Sequence, residues 1–545
     1  GSIASLGSHY LVALEAAACD NGEVLAQANA EASRKEDVLG ALSQASSRLR
    51  EKLGESLASV QKFDVPIDAT TSSLEALKVF SQGVNLRERR GDSEAIPFFK
   101  RAIELDPNFA LAYANLGVAY SNLEQADLAA ENIRKAYALR DRVSALENFR
   151  ITGAYYQYVT GELEKARATY QLEAQSYPHD RLSHLNLGLN GIILGRWEEA
   201  VAQCQEAMKL DPNTLMTYSN LAVSYLALNR FEDAGRVLDD MRQHHMDSAT
   251  LHGNLYFLAF LKNDREEMLR QVAWGTGKPG TEDTLLSQHA DSEAYFGRAR
   301  EARHYGNLAV SSALRADSKE VAALWHTGSA LHEAELGFPA LAKKEADAAL
   351  ALSRGRDVEI LAGLALARSG YGSEARKLVQ QLEKTDPLNT ILQVYWLPTM
   401  RGAIDVSEGH PAKAIAALEA TSPYELGGPL PLGILYPVYV RGLAYLDQGD
   451  GARAAVEFQK MIDHVGIVQN FVVGSLSHLG LARALVLQAQ AASGDEAARF
   501  REKALAAYQE FFTIWKDADP DVPVLVAARM EEARLRALAG SRATP

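Results

Sequence analysis

The sequence has little of several features that define common protein classes. It contains 2 cysteines in 545 residues, too few for a disulfide framework or a cysteine metal cluster. Its formal net charge of −14 argues against nucleic acid and anionic membranes as partners, because both carry negative charge. No apolar run approaches the roughly 18 residues that cross a bilayer. We therefore expect no direct insertion into a membrane.

Motifs for catalysis and cofactor binding are also missing. The segment Gly275–Gly280 lacks the spacing of a phosphate-binding loop and follows no strand-like sequence. His244 and His245 are adjacent, so they point to different faces of a helix and have no supporting ligand at helical spacing. No serine has a histidine and an acid at a recognisable motif spacing. The sequence predicts no catalytic residue, no metal site and no cofactor.

What the sequence does contain is a repeat of about 34 residues. The second half of a unit reads Ala-x-x-x-aromatic-or-Cys-x-x-Ala and ends near a proline, as in Ala95, Phe99, Ala102 and Pro107. The first half carries a Leu-Gly-x-x-Tyr-like segment such as Leu116–Tyr120. Spacings of three and four place each set on one face of a helix. One such helical hairpin cannot bury its own apolar face, so neighbouring hairpins must stack.

This period and pattern closely resemble the tetratricopeptide repeat. The resemblance implies an all-α fold, an α-solenoid in which helical hairpins form a right-handed superhelix. We count about twelve units, of which the first five, from Leu74 to His245, are clear. A weaker sixth unit spans His252–Gly275, and later units are recognised mainly by their second helices.

The first 70 residues follow a different pattern. Ser8–Ala17 and Glu23–Ala32 read as two strands joined by a hairpin turn at Asp20-Asn21-Gly22. A helix is predicted from Lys35 to Leu57. Two strands and one helix are too little sheet to stand alone, so we expect a small truncated segment of a larger α/β domain. The predicted organisation is an α/β remnant at 1–70, a clear repeat array at 71–280, and a divergent array with a carboxy-terminal capping helix at 281–545.

A second resemblance covers nearly the whole chain. Gly1-Ser-Ile-Ala-Ser-Leu-Gly-Ser-His-Tyr-Leu-Val12, Leu435-Tyr-Pro-Val-Tyr-Val-Arg-Gly442 and Trp515-Lys-Asp-Ala-Asp-Pro520 are similar to bacterial eukaryotic-type serine/threonine kinases, particularly those of acidobacterial type. The kinase motifs themselves, a Gly-rich loop, His-Arg-Asp and Asp-Phe-Gly, are not found here. The resemblance implies a non-catalytic arm on the extracytoplasmic side of a bacterial inner membrane. Without the kinase attachment, a cytoplasmic location is expected.

The tetratricopeptide resemblance implies that the first helices line a concave surface, and this surface is the predicted binding site. The residues assigned to it by repeat register are Leu111, Asn115, Val118, Leu182, Asn186, Leu189, Met216, Asn220 and Val223. The asparagines either hold the backbone of an extended peptide or bond to a neighbouring helix, since an amide donates and accepts. The aliphatic side chains predict an apolar or amphipathic protein segment as partner. Self-association or the chain's own far end would also cover them.

Two functions are consistent with these features. The first is a protein–protein interaction scaffold, the sensory or docking arm of a bacterial signalling protein. The alternative is a sensor for a peptide or small molecule, with a pocket near Trp396, Tyr424, Tyr436 and Tyr439. We rank the sensor second because aromatic side chains at helix junctions more often belong to a core.

Overall fold

The computed structural model describes residues 1–6, 9–18, 21–55, 71, 73–428 and 435–540. Ser8, Asp20, Cys19 and the predicted helix end at Leu57 lie outside these ranges. The chain forms two compact units. The first comprises Gly1–Leu123, Asp127–Val159 and Lys165–Pro178, and the second comprises Glu124–Ala126, Thr160–Glu164 and His179–Pro545. The predicted domain boundaries near residues 70 and 280 stay predictions.

The first unit begins with an antiparallel sheet in the order β1-β2-β3. Its strands are β1 (Ser2–Leu6), β2 (His9–Ala17) and β3 (Val24–Ala32), and helix α1 (Val38–Lys52) packs on β2 and β3. Val12, Ala30 and Val38 form the core between sheet and helix. The predicted hairpin is confirmed, whereas β1 had no prediction because its five residues carry no alternating pattern.

The remaining elements are helices, and they confirm the predicted fold class, an all-α solenoid of helical hairpins with a small amino-terminal sheet. In the first unit they are α2 (Leu74–Arg90), α3 (Asp92–Leu105), α4 (Ala110–Asn122), α5 (Ala126–Ala138), α6 (Ala145–Ala154) and α7 (Leu163–Ser176). The first residue of α5 and the first two residues of α7 belong to the second unit. In the second unit they continue with α8 (Arg181–Ile193), α9 (Trp197–Leu210), α10 (Leu215–Ala227), α11 (Phe231–Gln243), α12 (Ala249–Leu261), α13 (Arg265–Gly275), α14 (Glu282–Tyr295), α15 (Ala299–Arg315), α16 (Lys319–Leu336) and α17 (Pro339–Leu352).

The later helices follow the same alternation. They are α18 (Arg356–Arg368), α19 (Gly372–Thr385), α20 (Leu397–Ser407), α21 (Pro411–Leu418), α22 (Tyr436–Asp447), α23 (Gly451–Asp463), the short α24 (Val465–Val468), α25 (Val472–Ala491), α26 (Gly494–Ile514) and α27 (Pro523–Gly540). Even-numbered helices from α2 to α22, and α25, are the first helices of their hairpins. Each is followed by its second helix.

The repeat residues pack as the pattern predicts. Gly117 on α4 lies so close to α5 that an added Cβ would be 3.0 Å from the carbonyl oxygen of Ala129. Phe99 and Ala102 on α3 are fully buried, and Phe99 packs against Phe80 with ring centroids 5.7 Å apart. The small residue therefore sets the helix spacing, and the aromatic side chain fills the gap to the next helix.

Two first helices contain a π-helical segment. The chain forms π-helix at Tyr155–Thr160, directly after α6, and at Leu392–Trp396, directly before α20. Both interruptions lie within first helices, where the sequence departs from the Leu-Gly-x-x-Tyr pattern. π-Turns accommodate an extra residue in a helix without breaking it.

Helix α25 corrects the expectation that no apolar run in the chain is long enough to cross a bilayer. Its 20 residues have a mean hydropathy of 1.3 over the most apolar window, so by length and composition it could cross a membrane. More than half of that window is buried within the protein, and α25 packs between α23 and α26. Its apolar character is explained by its position as a core helix of the solenoid.

Candidate functional site

The predicted binding residues occupy one stripe on each first helix. In the second unit, Leu182, Asn186 and Leu189 follow spacings of four and three on α8, and Met216, Asn220 and Val223 do the same on α10. Five of these six side chains are half-buried, and Asn220 is 7% exposed. In the first unit, Leu111, Asn115 and Val118 on α4 are likewise half-buried. Each set shares one helix face, as the register predicts.

The three asparagines are in different environments. The Asn115 side chain donates to the carbonyl of Leu111 at 2.9 Å, and its Oδ1 accepts from Arg87 at 3.0 Å. In the described part of the chain, the side chains of Asn186 and Asn220 make no hydrogen bond. Asn115 therefore has a structural role, Asn220 is almost inaccessible, and Asn186 is the open member.

In the second unit, turns within the early hairpins meet segments far along the chain. Residues in the left-handed conformation recur about every 34 residues. They are Gly161, Gly195, Asn229, Asn263 and Gly297, with φ between 56° and 75°. Four of them contact a connection that precedes a later first helix or α27. We call this series of contacts the seam.

The seam consists of backbone as well as side-chain contacts. The carbonyl of Gly161 accepts from the amide of Thr390 at 2.9 Å, and that of Gly297 accepts from Asp519 at 3.1 Å. Trp197 donates from Nε1 to the carbonyl of Leu426 at 2.7 Å across 229 residues of sequence. The later hairpins therefore lie directly against the earlier ones within this unit.

Asn229 is the most specific contact of the seam. Its Nδ2 donates to the carbonyl of Asp463 at 2.7 Å, and its Oδ1 accepts from the amide of Gly466 at 2.9 Å. A Cβ on residue 466 would overlap the carbonyl oxygen of Leu226, so only glycine fits there. One asparagine side chain thus forms hydrogen bonds with both a donor and an acceptor of a distant backbone segment.

The connection after α23 also contacts two later first helices, α14 and α16. We call His464–Phe471 the inserted segment. Within it, Asn470 donates to the carbonyl of Gln288 at 2.7 Å and to Oγ of Ser292 at 3.0 Å. The ring centroid of Phe471 lies 5.3 Å from that of His332. Ile467, Val468 and Phe471 are each at most 5% exposed, so this segment is firmly packed.

The inserted segment lies close to part of the predicted binding surface. Val223 packs against the large apolar cluster that includes Ile467, Val468 and Phe471. The short helix α24 lies against α10, the helix that carries Val223. This contact agrees with one alternative that the sequence left open, in which the chain's own far end covers part of the surface, and the binding residues themselves stay a prediction. Leu182, Asn186 and Leu189 on α8 form a stripe of half-buried side chains, and Met216 on α10 is half-buried as well.

Asn229 was not among the predicted binding residues. The repeat register directed attention to the middle of each first helix, whereas Asn229 lies in the turn after α10. A signal was present, since Gly or Asn recurs at this turn about every 34 residues. Such residues favour the left-handed conformation, but their spacing alone does not predict what they contact.

The aromatic residues proposed for a sensor pocket are mostly core residues. Trp396, Tyr436 and Tyr439 are at most 5% exposed and belong to one apolar cluster. The hydroxyl of Tyr436 donates to Oε1 of Glu335 at 2.5 Å. Glu335 also pairs with Arg368 at 2.6 Å. These side chains are committed to packing and to a buried ion pair.

Buried charges tie together the later hairpins of the second unit. Arg441 on α22 bonds through Nη2 to Glu425 at 3.0 Å and to Glu457 at 2.6 Å. Lys460 pairs with the other oxygen of Glu425. Arg441 and Glu425 are 6% and 4% exposed. A buried charge is tolerated only when it is paired in this way.

A second buried polar network surrounds His289 on α14. Its Nδ1 lies 3.0 Å from the hydroxyl of Tyr256, and its Nε2 lies 3.5 Å from Glu293. Burial lowers the pKa of His289 to about 4, and the nearby Arg265 and Arg298 add to this effect. Glu293 is itself paired with Arg298. His289 is therefore neutral at pH 7.

An open cleft lies on another side of the second unit. It has a volume of about 700 Å³ between α23 and α25 and is lined by Ala455, Val456 and Leu481, with Lys460 and His464 at its polar part. Val456 is 67% exposed. Nothing in the described residues indicates what would occupy this cleft.

Comparisons with known proteins agree with the repeat. Residues 98–131 match the family described as tetratricopeptide repeat, so the chain contains this repeat. No curated protein matches the chain.

Three solved structures are similar at low identity. Yeast Tom70 is 13% identical with a TM-score of 0.33, covering 86% of this chain and 97% of its own. The Cut9 and Hcn1 hetero-tetramer of the APC/C is 12% identical with a TM-score of 0.39, covering 92% and 94%. PilW, a type IV pilus biogenesis factor, is 16% identical with a TM-score of 0.27, covering 38% and 94%. The roles in those names belong to those proteins.

Proposed function

We propose that this chain is a protein-interaction scaffold that binds a segment of a partner protein on the stripe of α8. The observation that carries this proposal is the inserted segment. The same solenoid holds a protein segment, its own, against first-helix ends and inner faces by apolar packing and by amide side chains at Asn229 and Asn470. A surface that binds one segment in this way is chemically suited to another.

The accessible part of the stripe indicates the partner's chemistry. Leu182 and Leu189 are half-buried aliphatic side chains, and Asn186 between them has both amide groups available among the described residues. Such a stripe would bind an apolar or amphipathic segment whose backbone is within reach of the amide. Binding of this kind requires no chemical step, in keeping with a scaffold rather than an enzyme.

The finer role that we propose is that of a docking arm in a bacterial signalling protein, attached to a serine/threonine kinase domain outside this chain. The resemblance to such kinases at Gly1–Val12 and Trp515–Pro520 motivates it. In this role, partner binding would change the position or self-association of the attached output domain. If the kinase attachment holds, the arm works on the extracytoplasmic side of an inner membrane, and otherwise in the cytoplasm.

The test compares substitutions on the stripe of α8 with substitutions of exposed leucines on second helices. The double variant Leu182→Glu/Leu189→Glu places two negative charges on the stripe and should weaken binding of an apolar segment. The control Leu172→Glu/Leu210→Glu places the same charges on second helices, where these leucines are 53% and 38% exposed. Affinity capture from the native bacterium is quantified by mass spectrometry, after circular dichroism confirms that both variants are folded.

Proteins retained by the native chain and the control, but reduced at least about tenfold with the stripe variant, would support the proposal. The direct interaction is then measured with the purified partner. Equal capture by all three chains would rule out α8 as the binding surface. A full-length parent that phosphorylates substrate equally with and without the captured partner would count against the kinase arm alone.

A further inference from the structure

One of the five left-handed turns in the series, the turn at Asn263, takes no part in the seam. The turns at Gly161, Gly195, Asn229 and Gly297 each contact a distant segment. Asn263 lies between the last two of these at the same repeat position, with φ 56°, identical to that of Asn229. Within the described residues, the side chain of Asn263 makes no hydrogen bond, and the residue is exposed.

The gap coincides with a pair of long helices among the later elements. The connection at Asp463–Gly466 meets Asn229, and the next connection before a helix, near Trp515–Asp519, meets Gly297. Between these connections stand α25 and α26, with 20 and 21 residues. They are longer than the 13 residues of α10 and of α12. Across this pair of helices the contacts pass from Asn229 to Gly297, and Asn263 between them stays open.

Asn229 defines what such a turn recognises. Its partners are the carbonyl of Asp463, the last residue of α23, and the amide of Gly466. The recognised feature is thus the carboxyl-terminal turn of a helix with glycine three residues later. Glycine is required because the backbone of Leu226 leaves no room for a Cβ on residue 466.

The residue before each asparagine determines the flanking chemistry. Leu228 precedes Asn229 and packs against the apolar cluster that contains Ile467 and Val468. Lys262 occupies the equivalent position before Asn263. It is exposed, and it forms no ion pair with any part of the chain that the structure describes. A cation at this place favours acidic side chains and the negative end of a helix dipole.

We propose that the turn Lys262–Asp264 is a docking site for the carboxyl-terminal turn of a helix in a partner protein. The partner's helix ends in a free carbonyl followed by glycine at the third position, and acidic side chains replace the apolar pair that follows Gly466. This site is separate from the stripe of α8, so it does not depend on the function proposed above.

The test uses a peptide copied from the seam. It contains Gly451–Val468 with Ile467→Glu and Val468→Glu, carries a fluorophore, and is held helical by a lactam bridge that circular dichroism verifies. Fluorescence anisotropy measures its binding to the full chain. The matched protein variants are Asn263→Gly and Asn229→Gly, since glycine keeps the left-handed backbone in both turns and removes only the amide side chain. A Gly466→Val peptide tests the need for close approach.

We expect the peptide to bind the native chain and to lose at least about tenfold in affinity with Asn263→Gly, because two hydrogen bonds are removed. The Gly466→Val peptide should lose a similar factor, and Lys262→Leu should weaken binding in low salt more than in high salt. No binding of the helical peptide at about 1 mM, or equal affinity for the native chain and Asn263→Gly, would overturn the proposal. Loss of binding with Asn229→Gly alone would also overturn it, since the peptide would then be exchanging into the chain's own seam.

Discussion

The early and the late hairpins of the second unit stabilise their interiors by different means. From α8 to α12, the buried polar side chains are uncharged, among them Asn190, Ser219 and Asn254. From α14 to α22, charged side chains such as Glu293, Glu335 and Arg441 are buried. The early hairpins match the repeat pattern and pack by shape, whereas the late hairpins depart from it and are held in register by paired charges.

The difference shows where a solenoid tolerates sequence drift. In the early hairpins, a Leu-Gly pair and small residues determine the helix spacing. In the late hairpins, the ion pair of Arg368 with Glu335 joins two successive first helices, α18 and α16. The pair of Arg303 with Glu333 joins the second helix α15 to the first helix α16. A buried pair specifies one arrangement strongly, because any other leaves a charge without its partner.

The largest effect should follow from removing one charge of a late network. Arg441→Met leaves Glu425 and Glu457 without their guanidinium, and we expect a loss of about 3–5 kcal/mol. Thermal unfolding followed by circular dichroism measures it, with Arg453→Met as control because that side chain is 59% exposed. A loss no greater than that of the control would mean that the late hairpins do not depend on their buried charges.

Acid should destabilise the late hairpins of the second unit more than the early ones. His289 is neutral in the fold with a pKa of about 4, against 6.5 for an ordinary histidine. Its contribution is complete above pH 6.5 and is lost as the pH falls toward 4, with a full loss of about 3 kcal/mol. The neighbouring charges are Glu293, Arg265 and Arg298.

The measurement is the melting temperature between pH 7 and pH 4. In His289→Gln, the part of the pH dependence that stems from this group should disappear, while the exposed His304→Gln keeps the native dependence. Hydrogen exchange should place the acid-induced opening in α14 before α10. Earlier opening of α10 would contradict the assignment.

The seam should contribute less than a buried charge. Asn229→Gly keeps the left-handed backbone and removes two hydrogen bonds, so we expect a loss of about 2 kcal/mol. Hydrogen exchange of the Gly466 amide should become faster. The matched variant Asn263→Gly should leave both the melting temperature and this exchange unchanged. A similar loss of stability in both variants would show that the side-chain amide of Asn229 does not stabilise the seam.

The smallest effect should come from a neutral hydrogen bond of the early hairpins. Asn254 donates from Nδ2 to Oγ of Ser219 at 3.1 Å. In Ser219→Ala, this donor loses its partner, at a cost of about 1 kcal/mol. A cost as large as that of Arg441→Met would remove the contrast between neutral and charged hairpins.

The fold was largely predictable from the sequence, because its signals are local. The Leu-Gly pairs, small second-helix residues and closing prolines all act within one hairpin, and the β2–β3 hairpin follows from Asn21-Gly22 and alternation. The weakly patterned late hairpins were located from Ala342, Ala454 and Ala504, which are fully buried.

The seam was not predictable, because its partners are more than 200 residues apart. Asn229 and Gly466 are separated by 237 residues, and neither lies in a recognisable motif. The candidate site was predicted only in part for the same reason. Register assigns Val223 to one face of α10, but it does not predict that α24, more than 200 residues further along the chain, lies against this helix. Asn115 differs because its partner, Arg87, lies on the preceding first helix.

An open solenoid can gain or lose a repeat at little cost, since each hairpin touches only its neighbours. The seam removes that freedom here. Deleting or duplicating one hairpin between Gly297 and Thr390 would shift every later connection by one turn, so Gly466 would no longer meet Asn229. We therefore expect that the number of hairpins in this part of the chain cannot change without breaking the seam, whereas loops that take no part in the seam can change in length.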